Sequence, residues 1–165
     1  MSQDFPLRRS RMEYVCMNCS HRHPVDSLLY TCPDCGGVLL LEDLDFDNMK
    51  NKGAQYWRAL FDSRRATRTR ALRGVFRFYE LMAPVLEEED IVYLGEGDTP
   101  IIEASAALER AVGQRFAYKN DGQNPSASFK DRGMAGAYSY LKSLVRKNNW
   151  KEVLTICAST GDTSA

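Results

Sequence analysis

Asn124-Pro125-Ser126-Ala127-Ser128-Phe129-Lys130-Asp131-Arg132-Gly133-Met134 is the stretch on which the reading of this 165-residue chain turns. Beyond it, Met134, Tyr138, Leu141, Leu144 and Val145 recur at three- and four-residue spacing, which predicts a helix from about Phe129 to Asn148 with these residues as its buried stripe. Arg115 to Lys119 before the helix and Val153 to Ala158 after it read as strands, and the small-residue turn Ser159 to Ala165 should open another helix. Strand, helix, strand in that order predicts a right-handed parallel unit and an α/β fold. Ser126 or Ser128 can cap the helix, which leaves Lys130 in its first turn, where the positive end of the helix favours a neutral, nucleophilic amine. Taken alone, Lys130 reads better as an exposed lysine offset by Asp131, and the surrounding residues reverse that preference.

Working upstream, Gly95-Glu96-Gly97-Asp98-Thr99-Pro100 is a glycine-punctuated turn, preceded by a short strand at Ile91 to Leu94 and the acidic run Glu87 to Asp90. From Gln55 to Ala83 the spacing of Leu72, Val75, Phe76, Tyr79 and Met82 predicts helix, ended by Pro84. Asp43 to Gly53 reads as a polar linker, and Val38 to Leu41 as a strand closing a small cysteine-bearing module. Three parts are expected: a module over 1–45, linker and amphipathic helices over 46–90, and the start of a larger domain over 91–165. A parallel strand at 153–158 without its crossover makes these residues look like part of a longer enzyme.

Cys16 with Cys19 and Cys32 with Cys35 form two CxxC pairs, twelve residues apart, the second followed by Gly36 and Gly37. Two thiolates on each of two tight turns fill a tetrahedral zinc ion and leave no open position, so the site is expected to be structural. His21 and His23 lie between the pairs and read as solvated loop residues. Zinc ribbons serve nucleic-acid binding, protein binding or simple bracing. Arg58, Arg64, Arg65, Arg68, Arg70, Arg73 and Arg77 make a nucleic-acid partner a reading to weigh, although a solvated helix face is favoured.

Composition narrows the classes. The chain is 44% hydrophobic and 27% charged, as a globular protein is, and its 22 basic residues balance 22 acidic ones. Zero net charge removes any whole-molecule attraction to nucleic acid or anionic membranes. No apolar run is long enough to cross a bilayer, and the first residues lack a signal-peptide core, so a cytoplasmic protein is expected. Cys157 stands alone and reads as a small buried apolar residue.

The lysine stretch resembles the cofactor-lysine signature of the tryptophan-synthase-type, or fold-type-II, pyridoxal-phosphate enzymes. Asp121, Ser126, Ser128, Phe129, Lys130, Arg132 and Gly133 fall where that signature has them. Leu94-Gly95-Glu96-Gly97-Asp98-Thr99-Pro100 is similar to the turn typical of threonine synthases, some of which carry a zinc module ahead of the catalytic region. Ala158 to Ala165 resembles the loop that receives the substrate carboxylate on backbone N–H groups. The resemblance implies a three-layer parallel-sheet domain, present in part, behind a zinc ribbon. It implies that Lys130 binds pyridoxal phosphate and is catalytic, with Phe129 and Asp162 beside the cofactor. Ser159, Thr160, Gly161 and Thr163 would then meet a small amino-acid substrate. Asp162 departs from the commoner asparagine, and an ionised carboxylate there would repel a phenolate oxygen. The implied reaction is conversion of O-phospho-L-homoserine and water to L-threonine and phosphate. The nearest rivals are threonine dehydratase or a diaminopropionate lyase, and a zinc-ribbon binding module on an inactive fragment. The family's glycine-rich phosphate loop lies further along the chain, so these 165 residues alone are not expected to be competent.

Overall fold

The computed structural model describes residues 5–6, 10–159, 161 and 163. Alternation in the first forty residues builds a three-stranded antiparallel sheet: β1 (Met12–Cys16) lies between β2 (Arg22–Pro24) and β3 (Leu39–Asp43), with Tyr14 opposite both His23 and Leu41. The closing strand is thus present, displaced by one residue from the predicted start. The expected linker is not wholly irregular, because Phe46–Lys50 forms the short helix α1 and its Met49 is buried.

The long helix expected over 55–83 is broken. Helix α2 spans Gly53–Ser63 and is followed by separate 3-10 turns at Arg64–Ala66, Arg70–Leu72 and Gly74–Phe78, then by the one-turn helix α3 (Tyr79–Met82). Gly74 explains one break: its φ of +58° suits glycine, and a Cβ there would sit 2.1 Å from Glu96 Oε1. The apolar residues still converge. Leu72, Phe76, Tyr79, Ala83 and Leu86 pack with Phe5, Ala71 and Ala135 into the core, and the Tyr79 hydroxyl donates to the Leu86 carbonyl at 2.7 Å.

Beneath this core Arg64 and Glu80 form a buried two-point ion pair, with N–O distances of 2.7 and 2.6 Å, and Arg64 also donates to the Arg77 carbonyl. Arg64→Ala removes the two-point buried pair with Glu80 and the bond to the Arg77 carbonyl, so a loss of about 3 kcal/mol is expected. Denaturant unfolding checks this, and an unchanged midpoint would contradict it.

The second sheet is a single antiparallel pair, β4 (Ile101–Glu103) with β5 (Ala117–Lys119), joined across helix α4 (Ala106–Val112), whose N-cap Ser105 accepts from the Leu108 N–H. The last helix, α5, spans Lys130–Asn148. Two expected strands are absent among the described residues. At Ile91–Leu94 the Val92 N–H is taken by the Ser139 hydroxyl and the Leu94 N–H by Glu96 Oε2, so neither is free for a ladder. At Val153–Ala158 no strand lies alongside, and Leu154 and Ile156 are 85% and 87% exposed. The parallel unit predicted from these segments is therefore not formed in the structure described.

The buried face of α5 also differs from the expected stripe. Ala135, Ser139, Ser143 and Leu144 are buried, whereas Tyr138 is 40% exposed and Met134, Leu141 and Val145 are only half-buried. Small side chains let the helix axis approach the core, and Ser139 satisfies its own hydroxyl by donating to the Ala135 carbonyl. The larger residues line an open groove instead.

Candidate active site and cysteine cluster

The two CxxC turns close on each other. Backbone hydrogen bonds from Cys16 to His21 and back from Ser20 to Cys16, and from Gly36 to Cys32 and Cys32 to Gly37, fold each pair into a tight knuckle. Gly36 takes φ +73°, and a Cβ on Gly37 would lie 2.9 Å from Cys16 Sγ. The four sulfurs lie within 4.8 Å of one another, with Cys16–Cys35 at 3.4 Å and Cys19–Cys32 at 3.7 Å. Thiolates around tetrahedral zinc at about 2.3 Å from the metal sit about 3.8 Å apart, so the donor set fits a metal ion of that kind.

Electrostatics point the same way. The Cys19 backbone N–H, with that of Asn18, holds the Cys16 thiol down at about 6. At Cys19 the His21 N–H lowers the value, but burial and the neighbouring thiols together push it up to about 12. Four thiolates so close cannot all ionise unless a cation joins them. His21 is exposed and bonds Asp34 at 2.7 Å, as a loop histidine would. His23 differs from expectation: it is only 13% exposed, with Nε2 3.4 Å from Cys32 Sγ. Its place opposite Tyr14 turns it toward the face that carries Cys16.

The lysine segment enters α5 through a cap of an unexpected kind. Phe129 occupies the N-cap position without a side-chain bond; Ser128 Oγ accepts from the Lys130 N–H at 3.3 Å, while Ser126 donates through both N–H and Oγ to the Asp131 carboxylate, at 2.9 and 2.6 Å. Asp131 therefore turns back to the loop and does not offset Lys130 at the surface. Ala127 adopts φ +59°, a conformation that costs an alanine about 1 kcal/mol and glycine little. Ala127→Gly should raise the thermal midpoint by a few degrees, and a lowered midpoint would contradict the strain.

The glycine-punctuated turn is bolted to this segment. Arg132 donates to both Asp121 oxygens at 2.7 and 2.9 Å and to Thr99 Oγ1 at 3.0 Å, Thr99 donates to Asp121, and Asn124 Oδ1 accepts from the Gly97 N–H. Glu96 is fully buried between the two glycines and accepts from the Val75 and Leu94 N–H groups. This network was not foreseen from the sequence; an acidic residue held between two glycines was its one available signal. The Arg132 guanidinium, then the Thr99 hydroxyl, holds the Asp121 carboxyl below the usual carboxylate range. Its stabilisation is present above the unfolded value of about 3.9 and is lost as pH falls through the lower folded value. Arg132→Ala should flatten that part of the acid limb in urea unfolding; an unaltered pH profile would contradict the coupling.

Between α5 and the final segment lies a groove of about 590 Å³, within the usual size of a small-molecule site, lined by Leu94, Asp131, Met134, Ala137, Tyr138, Leu141 and, opposite, Thr155, Ile156, Cys157 and Thr163. Cys157 is exposed on this groove, not buried in a strand. Ser159 Oγ accepts from both the Gly161 and Thr163 N–H groups at 3.1 Å, so in this structure the loop amides converge on its own hydroxyl. Lys130 is half-buried and Phe129 is 62% exposed at the neighbouring helix start. Thr160 and Asp162 lie outside the described residues.

The arginines do not form one helix face. Arg64 is buried on Glu80, Arg77 bonds Asp98 at 2.8 Å, Arg65 bonds Asp62, and Arg73 lies over the Tyr93 ring at 5.6 Å.

A family model described as pyridoxal-phosphate dependent enzyme matches residues 92–165. These residues are similar to that family. Over 91% of its length the chain is 38% identical to a threonine synthase of Methanocaldococcus jannaschii, and over 96% it is 35% identical to threonine synthase 2, chloroplastic, of Arabidopsis thaliana. A threonine synthase of Synechocystis is 44% identical over 56% of the chain. These matches cover 32%, 31% and 23% of those relatives, so the chain spans about a third or less of their length. The family implies pyridoxal phosphate, and the mixed α/β structure is consistent with it. Among the described residues no helix is long and apolar enough to cross a membrane.

Proposed function

We propose that the chain contributes the lysine side of the active site of a cytoplasmic threonine synthase, and that its cysteine module is a structural zinc ribbon. The observation that carries the reading is the bolting of the Leu94–Pro100 turn to the lysine segment through Thr99, Asp121, Asn124 and Arg132. The domain limits proposed are 1–45, 46–90 and 91–165.

Pyridoxal phosphate, when bound, supplies an electron sink for the carbanion formed on an amino-acid substrate. Lys130 Nζ would hold the cofactor and, when free, would take and return protons at the substrate carbons. Phe129 and Asp162 would adjoin the cofactor, and Ser159, Thr160, Gly161 and Thr163 would receive the carboxylate. The Arg132–Asp121 pair fixes the helix start from which Lys130 projects. The overall conversion is O-phospho-L-homoserine and water to L-threonine and phosphate, a carbon–oxygen lyase reaction.

A chain of this span holds only part of that site, and the 165 residues by themselves are expected to release phosphate no faster than background. Substrate choice is tested by binding. With cofactor present, O-phospho-L-homoserine should slow borohydride trapping of the cofactor on Lys130 well below the rate seen with L-threonine or L-serine. Equal protection by all three would favour a dehydratase-like specificity instead.

A further inference from the structure

Tyr140 lies on α5, ten residues beyond Lys130 and therefore about 15 Å along the helix axis. Its hydroxyl leaves the catalytic part altogether. It accepts from the Tyr14 hydroxyl at 2.9 Å and donates to the Val25 carbonyl at 2.6 Å, shared with the Ser27 carbonyl at 3.1 Å. Tyr14 sits in β1 two residues before Cys16, and Val25 and Ser27 lie in the loop that runs from β2 toward Cys32. One oxygen thus touches both halves of the chain around the cysteine cluster. Burial and then the Tyr14 hydroxyl push the Tyr140 phenol up from its ordinary value, so it remains a donor across the physiological range.

The surroundings favour transmission over mere adhesion. Gly136, Ala137 and Tyr140 of α5 line an apolar cleft of about 280 Å³ together with Met12, Tyr14 and Leu41 of the cysteine sheet and Val25 of the loop after β2. Among the described residues the hydrogen bonds that join α5 to the cysteine module are those of the Tyr140 hydroxyl. The other end of α5 is held to its own part by Asp131 on Ser126 and Arg132 on Asp121. A helix is stiff along its length, so moving Tyr140 bears on the placement of Lys130.

We propose that Tyr140 is a positioning residue: its hydroxyl ties the metal-bound fold of the cysteine module to α5, so that metal occupancy at Cys16, Cys19, Cys32 and Cys35 sets the placement and reactivity of Lys130. The proposal rests on the two readings above, a metal at the four cysteines and an active lysine at 130. Coupling of this kind is reciprocal. The hydroxyl that transmits metal binding to the lysine must also let the helix strengthen metal binding.

Two quantities are measured on the full chain as wild type, Tyr140→Phe and Tyr14→Phe: zinc affinity by competition with a chromogenic chelator, and the rate at which pyridoxal phosphate with borohydride modifies Lys130, read by peptide mapping with Lys142 as internal reference. In wild type, stripping zinc should change the Lys130 rate at least fivefold while Lys142 stays constant. Tyr140→Phe should weaken zinc about five- to tenfold, the loss of a buried hydrogen bond, and make the Lys130 rate indifferent to zinc. Tyr14→Phe, which keeps the Val25 contact, should shift both in the same direction by less and guards against misfolding of the first variant. Zinc affinity and zinc dependence both within twofold of wild type in Tyr140→Phe would overturn the tie. Lys130 unmodified in every state would overturn the active-lysine reading and the proposal with it, and so would the absence of stoichiometric zinc in wild type for the metal reading.

Discussion

Replacing Lys130 by alanine is expected to lower covalent capture of pyridoxal phosphate by a factor of about 10² to 10⁴, to the background of surface lysines, while leaving the fold intact. Lys130 projects from the first turn of α5, where its backbone N–H reaches Ser128 Oγ and, among the described residues, its side chain makes no ion pair, so little stability depends on it. Lys130→Arg should fail equally: it keeps the charge, but a guanidinium protonated at all accessible pH offers no free amine to an aldehyde. Capture rates from borohydride trapping, with a melting curve for each variant, check this. Wild-type capture in either variant would move the role to another lysine.

The second large effect concerns the cysteine module. Cys32→Ser removes one of two buried thiols from a cluster whose sulfurs lie within 4.8 Å of one another. On the zinc reading, metal content should fall from one ion per chain to well below half, and the module should lose more than about 5 kcal/mol of stability, because metal binding and folding are the same event in so small a sheet. Cys157→Ser, on the exposed groove wall, should leave both unchanged. Metal analysis and amide exchange of Met12–Cys16 give the two readouts. One zinc retained by Cys32→Ser would show that His23, 3.4 Å from the Cys32 sulfur, substitutes for the lost ligand.

What the sequence made legible follows from how local its physics is. The extent of α5 could be read within a residue at each end, since nineteen residues of helical spacing outweigh ambiguity at their limits. The cysteine pairs also declared their grouping, because a CxxC turn is fixed by its own backbone. The 55–83 stretch misled for the opposite reason. Its apolar spacing was helical, but Gly74 was needed for its left-handed turn against Glu96, a demand set 22 residues away. At Ile91–Leu94 the strand-forming residues were read correctly as apolar, yet Ser139 and Glu96 had taken the amides a sheet would need. The helix stripe held at Leu144 and failed elsewhere on size: Ala135 and Ser139 won the core because they are small, and Met134 and Tyr138 were left for the groove.

The candidate site was legible as residue types and not as a network. Lys130, Ser159, Gly161 and Thr163 could be named from their motifs, whereas the Thr99–Asp121–Arg132 triangle depends on three segments meeting. The Ser159 hydroxyl, expected to line a pocket, gathers the Gly161 and Thr163 amides itself.

The central claim is that Lys130 is the residue that holds the cofactor. Its most direct test is to incubate the chain with pyridoxal phosphate, reduce with borohydride, and map the modified peptide by mass spectrometry. The account predicts that the label sits predominantly on the peptide containing Ser128-Phe129-Lys130, and that Lys119, Lys142 and Lys147 carry only traces. A label spread evenly over the lysines, or concentrated on any lysine other than Lys130, would contradict it.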